Sequence, residues 1–224
     1  MMNQPGFGER HARAAIAAVA AAGLSCGALI LLHGFSAEFS PSWRMVSEYA
    51  NGRLPWLLAI VFVAWAASYI ALATALSPLR ATTLGKIGLA FLLLAAIGQA
   101  MGGLFDINHS LHGPAAMIGI PSLCIAAVIV NMALARRADI GAPPLWSAHL
   151  PWVALVLMSG AFALFISSLQ SAGVDMSGQS APLSELPDGV TSFVGWANRL
   201  VFAASYLWVV LTALVVINAV DRRA

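Results

Sequence analysis

Charge is what this sequence has least of. Asp, Glu, Lys and Arg make up 9% of its 224 residues, whereas a soluble domain carries about a quarter. With 60% hydrophobic residues, a water-soluble fold would have more apolar surface than one core hides. A bilayer accommodates such a chain, because lipid replaces water as the solvent for its outside. The net charge is only +2, and Lys and Arg never gather into a dense basic cluster. That gives no footing for nucleic acid or for a basic patch against lipid headgroups. Cysteine is equally scarce: Cys26 and Cys124, the only two, both fall inside apolar runs, where free thiols act as small apolar fillers. No Gly-rich phosphate loop, nucleophile-elbow signature, haem-attachment motif or internal repeat is present.

Long apolar runs are what the chain does have. Six of them, at residues 14–32, 54–76, 87–105, 113–135, 150–170 and 200–220, carry no charge. Each holds roughly 20 residues, the number that spans a hydrocarbon core about 30 Å thick. Spans of this kind are helices, since every backbone polar group then finds a partner within the segment. Pro55, Pro114 and Pro151 fall at predicted helix starts, where a missing N–H costs nothing. Pro121 lies inside the fourth run and predicts a kink. Arg10 and Arg13 precede the first run as in a signal peptide, but that run exceeds the usual ~7–15-residue signal core. It is read as a retained first helix. The absence of Asp, Glu, Lys and Arg from the runs argues against a proton pump, a voltage sensor and most ion-coupled transporters. Gln99, Asn131, Ser159, Ser167 and Asn218 supply polar groups instead, which are expected to join helices by hydrogen bonds.

Loop charges predict the orientation. If the chain weaves six times, Arg10, Arg13, Arg80, Lys86, Arg136, Arg137, Arg222 and Arg223 share one side, eight of the 11 basic residues. Arg44, Arg53 and Arg199 remain on the other. By the positive-inside rule both termini are then cytoplasmic. Glu38, Glu48, Asp106, Asp175, Glu185 and Asp188 fall outside, with His33, His109 and His112. The outer side also has the two longer loops, residues 34–53 and 171–198, so any chemistry is expected there.

Three outer constellations stand out. In Asp106-Ile107-Asn108-His109-Ser110-Leu111-His112, an acid and two imidazoles recur at a spacing of three, which brings them to one face of a helical turn. With His33 they form a donor set suited to zinc, namely His33, His109, His112 and Asp106. The plainer reading is a turn that caps two helices. Residues 40–52 open on Ser40-Pro41 and close on Asn51-Gly52, start and stop signals for a short interfacial helix carrying Arg44 and Glu48. That helix either covers the bundle or acts as a lid. Gly195-Trp196-Ala197-Asn198-Arg199 opens the last span. Arg199 there either snorkels to headgroups, pairs with Asp106 or Glu48, or holds an anionic headgroup.

Several of these motifs together resemble a known family. Ser47-Glu48-Tyr49-Ala50 leads into a long span. Gly103-Leu104-Phe105-Asp106 is followed by His112-Gly113-Pro114-Ala115-Ala116, and Gly195-Trp196-Ala197-Asn198-Arg199 by Trp208. The pattern is similar to the bacterial and archaeal membrane family catalogued as domain of unknown function 998. There a Gly-aliphatic-Phe-x-x-Asp stretch ends one helix, a His opens the next and an Arg opens the last. In this chain Phe105 directly precedes Asp106 and the turn to His112 is short. The resemblance implies that Asp106, His112 and Arg199, with Ser47, are the positions of interest, and it leaves His33 and His109 outside the pattern. It implies no particular activity. The six-helix layout is more distantly similar to membrane families implicated in lipid handling, a fold-level analogy only.

The expected architecture is therefore an all-α, six-helix transmembrane bundle, with both termini inside and a short interfacial helix in the first outer loop. Residues 1–224 form one polytopic domain, placed in a bacterial inner membrane. The leading expectation of function is binding or sensing of a lipid or small amphiphile at the outer face, through Asp106, His112, Arg199 and Glu48. One alternative is a membrane hydrolase or transferase acting on lipid with a zinc ion held by His33, His109, His112 and Asp106. Another is a structural or partner subunit whose outer polar residues brace the helices.

Overall fold

The computed structural model of the chain describes residues 6–174, 183 and 185–222. Among these, helix is the regular structure and no strand occurs. Six helices are long and apolar enough to cross a membrane: α1 (Glu9–Phe35), α2 (Pro55–Ala75), α3 (Thr83–Leu104), α4 (His112–Ala135), α5 (Leu150–Ser171) and α6 (Val194–Asp221). Each uncharged run marks one helix; α2 ends one residue inside its run at both ends, whereas α1 and α6 extend well beyond theirs. Helix α1 begins five residues earlier than its run and α6 begins six residues earlier. Of the residues in the orientation argument, Asp175 and Arg223 lie outside the described residues.

Local chemistry sets several of these ends. Pro55 is the first residue of α2 and Pro151 the second of α5, positions that need no N–H partner. Thr82 caps α3, its hydroxyl accepting the Gly85 N–H at 3.1 Å. Gly85 itself has no room for a side chain, since a Cβ would run into the Leu79 carbonyl of the preceding 3₁₀ turn. Helix α4 is continuous through Pro121.

Consecutive helices pack against one another from α1 to α4, α6 returns to α1, and α5 attaches to α6. One large apolar cluster joins α1, α2, α3, α4 and α6 around Trp65, Leu72, Leu92, Val130 and Trp208. Helix α5 belongs to a separate small cluster, where Ala154 meets Val201 and Ala204. Its contact with α4 is slight, and only 11% of its apolar core window is buried. A helix so apolar and so little covered calls for lipid or another apolar surface against it.

At one end of the bundle Arg137 ties two connections to the N-terminal segment. It holds Asp139 through two hydrogen bonds of 2.7 Å, reaches the Pro78 carbonyl and lies 5.0 Å over the Phe7 ring. At the other end the α1–α2 loop folds onto the start of α6. Gly195 N–H donates to the Ser42 carbonyl and Val46 N–H to the Asn198 side chain. Asn108 of the α3–α4 turn donates to Asn51 of the same loop.

The short helix expected at Ser40 starts later. It is a 3₁₀ helix spanning Val46–Asn51. The Ser40 and Ser42 hydroxyls pair with each other instead of capping a helix. Glu48 does the capping, accepting the Met45 N–H at 2.8 Å. Nor does this helix lie loosely on the surface, since Val46 and Tyr49 are buried in the main cluster.

Candidate functional site

Because α6 starts at Val194, Arg199 sits inside the helix, over one turn from its start, with 8% of its surface exposed. A buried guanidinium is costly unless its donors are met. Here Nη1 donates to the carbonyls of Arg44 (2.7 Å), Gly195 (3.0 Å) and Pro41 (3.4 Å). Nη2 donates to the Tyr49 hydroxyl at 3.1 Å, and Nε donates to His33 Nε2. His33 in turn donates from Nδ1 to the Leu29 carbonyl, which fixes its tautomer. No carboxylate among the described residues forms an ion pair with Arg199. Glu48 pairs with Arg44 instead, both nearly buried. Arg199 thus braces the loop 40–49 onto α1 and α6 through carbonyls, a phenol and an imidazole.

Beside this brace lies a cavity of about 260 Å³. Its walls come from α2, α3, α4, α5, α6, the first loop and the α3–α4 turn. Phe62, Phe202, Met158 and Ile120 make it mainly apolar. Ile120 and Met158 form the wall on the side where α4 and α5 pack lightly. At its floor α3 and α4 cross closely at Gly98 and Gly119, where a Cβ on Gly98 would strike the Gly119 backbone. That close approach holds Gln99 at the cavity wall.

Gln99 is 4% exposed, and its amide makes no hydrogen bond to any described residue. The Trp65 indole N–H, in the same lining, is fully buried with no partner among the described residues; an unmet buried donor costs about 1–3 kcal/mol, so a native helix keeps one where something else satisfies it. Two further unused polar groups line the same cavity. The half-buried Ser47 hydroxyl has no partner among the described residues. His112 spends Nδ1–H on the Phe105 carbonyl at 2.9 Å and packs edge-on to Phe62, which leaves Nε2 as the ring's remaining polar atom. Asn198 completes the polar set but is already engaged, by Val46 N–H and by the Met158 sulfur. No charged side chain lines the cavity.

The sequence-derived residues therefore separate into three places. His112, with Ser47, reaches the cavity. Arg199, His33 and Glu48 belong to the brace. Asp106 and His109 stay in the exposed α3–α4 turn, where Asp106 accepts the Asn108 N–H and His109 stacks on Phe105. The four proposed zinc ligands are divided among all three, and among the described residues no group of three or more His, Cys, Asp or Glu is assembled to hold a metal. Of the polar residues expected to join helices, Asn131 does so by accepting the Trp208 indole N–H and donating to Ser147, Ser159 donates to the Leu155 carbonyl of its own helix, and Gln99 bonds to no described residue. The lone amide in an otherwise apolar run was the available signal, but sequence alone does not show whether an amide finds a partner.

Residues 10–215 match the family described as Protein of unknown function (DUF998). No curated protein and no solved structure matches the chain. The match covers most of the chain, and the chain belongs to that family.

Proposed function

We propose that this member of the family is a multi-pass membrane protein that binds a small amphiphile in the cavity beside Gln99. The observation that carries this reading is a mainly apolar cavity lined by the Gln99 amide, which bonds to no described residue, and by the buried, unpartnered Trp65 indole N–H. A few convergent polar groups in an apolar hollow are the usual composition of a small-molecule site. The apolar walls suit a chain, and Gln99, Ser47 and His112 suit a head. The positive-inside rule supports placing the arginine-rich end in the cytoplasm of a bacterial cell and the cavity end toward the outer face of its inner membrane. The role of Arg199 in this reading is to hold the loop that carries Met45 and Ser47 against the cavity, not to touch the amphiphile.

The test is lipid extraction from protein purified in parallel as wild type and as Gln99→Leu. Leucine fills a similar volume and removes the unmet amide, so the variant folds at least as stably. The expected result is one amphiphile class enriched over bulk membrane lipid in the wild type and depleted in the variant. Extracts that match bulk lipid in both proteins overturn the reading.

A further inference from the structure

The polar groups of the cavity also restrict what the head is. This inference rests on the cavity being an amphiphile site. His112 Nδ1 faces a carbonyl, which accepts only, so Nδ1 carries the proton. In the neutral ring Nε2 is then an acceptor, and it calls for a donor from the ligand. Gln99 offers an amide oxygen that accepts and an NH₂ that donates, and Ser47 offers a hydroxyl that does both. A carbonyl or ether head accepts only and leaves Nε2 unmet. The unpartnered Trp65 indole N–H in the same lining calls for an acceptor. A hydroxyl both donates and accepts, so it can meet Nε2 and supply that acceptor.

Charge points the same way. Of the three arginines at this end, Arg199 is committed to carbonyls, Tyr49 and His33, Arg44 to Glu48, and Arg53 is exposed at the surface. None of them lines the cavity. A carboxylate or phosphate head would enter with no fixed counter-charge, and burying an unpaired anion is strongly unfavourable. We infer that the site selects an uncharged, hydroxyl-bearing head on an alkyl or acyl chain, of the fatty-alcohol or monoacylglycerol kind, over an anionic or acceptor-only head of equal chain length.

Three probes with the same chain separate these heads: glyceryl monodecanoate, methyl decanoate and decanoate. Each is titrated into the full-length protein in lipid nanodiscs, with quenching of intrinsic tryptophan fluorescence by a brominated competitor as the readout. Wild type should bind glyceryl monodecanoate about tenfold more tightly than methyl decanoate, the effect of one unmade hydrogen bond to a buried group. Decanoate should bind more weakly than either. In His112→Phe the preference for glyceryl monodecanoate over methyl decanoate should fall while binding of methyl decanoate persists. Equal binding of the two neutral probes, or tightest binding of decanoate, overturns the head assignment and leaves the amphiphile site standing. Saturable binding of none of the three, with no difference between wild type and Gln99→Leu, overturns both.

Discussion

Removing the Arg199 guanidinium strips partners from the Pro41, Arg44 and Gly195 carbonyls, the Tyr49 hydroxyl and His33 Nε2 in one step. Arg199→Ala should therefore cost about 2–4 kcal/mol, as expected for orphaning several buried polar groups. Lysine should recover little of it, because an ammonium lacks the planar fork that serves acceptors on three segments at once. Thermal unfolding in detergent checks both substitutions; a midpoint for Arg199→Ala within a degree or so of wild type would remove the brace from the account. Gln99 is the opposite case, buried with its amide unmet. Replacing it should leave stability unharmed and reduce binding. Arg199 was visible in the sequence as a cation at a membrane boundary, yet its role was not. The uncharged run begins at Leu200, whereas the α6 helix hydrogen-bond ladder begins at Val194 and includes the arginine. Helix ends follow backbone hydrogen bonding, and a charge does not end a helix when partners await it.

The α3–α4 pair is the element on which the cavity depends. The two helices touch backbone to backbone at Gly98 and Gly119, the close approach that small residues permit between membrane helices. Gly98→Ala should force them apart at a cost of about 1–3 kcal/mol, and should also weaken amphiphile binding by moving Gln99. Unfolding and binding measured on one preparation check the pair of effects; an unchanged midpoint contradicts the close crossing. The existence of all six helices was legible because transmembrane spans are written as uninterrupted apolar runs. The short helix in the first loop was legible at its Asn51-Gly52 end and misplaced at its start. Ser40-Pro41 reads as a cap, but the Ser40 hydroxyl spends itself on Ser42 and the Glu48 carboxylate caps from the other side. Such competition among side chains for the same backbone donors leaves no mark in the sequence. The cavity left none either, since Phe62, Gln99, His112 and Phe202 come from four different helices.

For the molecule as a whole, the arginine-rich end and the cavity end lie at opposite ends of the bundle, and the loop arginines predict that the former is cytoplasmic. Cysteine placed at Ser110 in the exposed α3–α4 turn, in a Cys26→Ala, Cys124→Ala background, should react with a membrane-impermeant maleimide on intact cells. Cysteine placed at Gly141 should react only after permeabilisation. The reverse pattern contradicts the orientation drawn from the loop arginines. Helix α5, mostly uncovered, forms an apolar flank of the bundle, with Leu157 and Leu164 exposed along it. That flank provides an internal control for the central claim, because a membrane-soluble probe also meets it from the bilayer.

The most direct measurement is photo-crosslinking of glyceryl monodecanoate carrying a diazirine at its chain end, in native membranes, with the labelled residues mapped by peptide sequencing. The account predicts that label concentrates on the cavity walls at Phe62, Ile120, Met158 and Phe202. It also predicts that excess unlabelled glyceryl monodecanoate removes it, and that Gln99→Leu weakens it. Label confined to outward residues of α5 such as Leu157 and Leu164, indifferent to competitor and to Gln99→Leu, would contradict the claim that the cavity is a binding site.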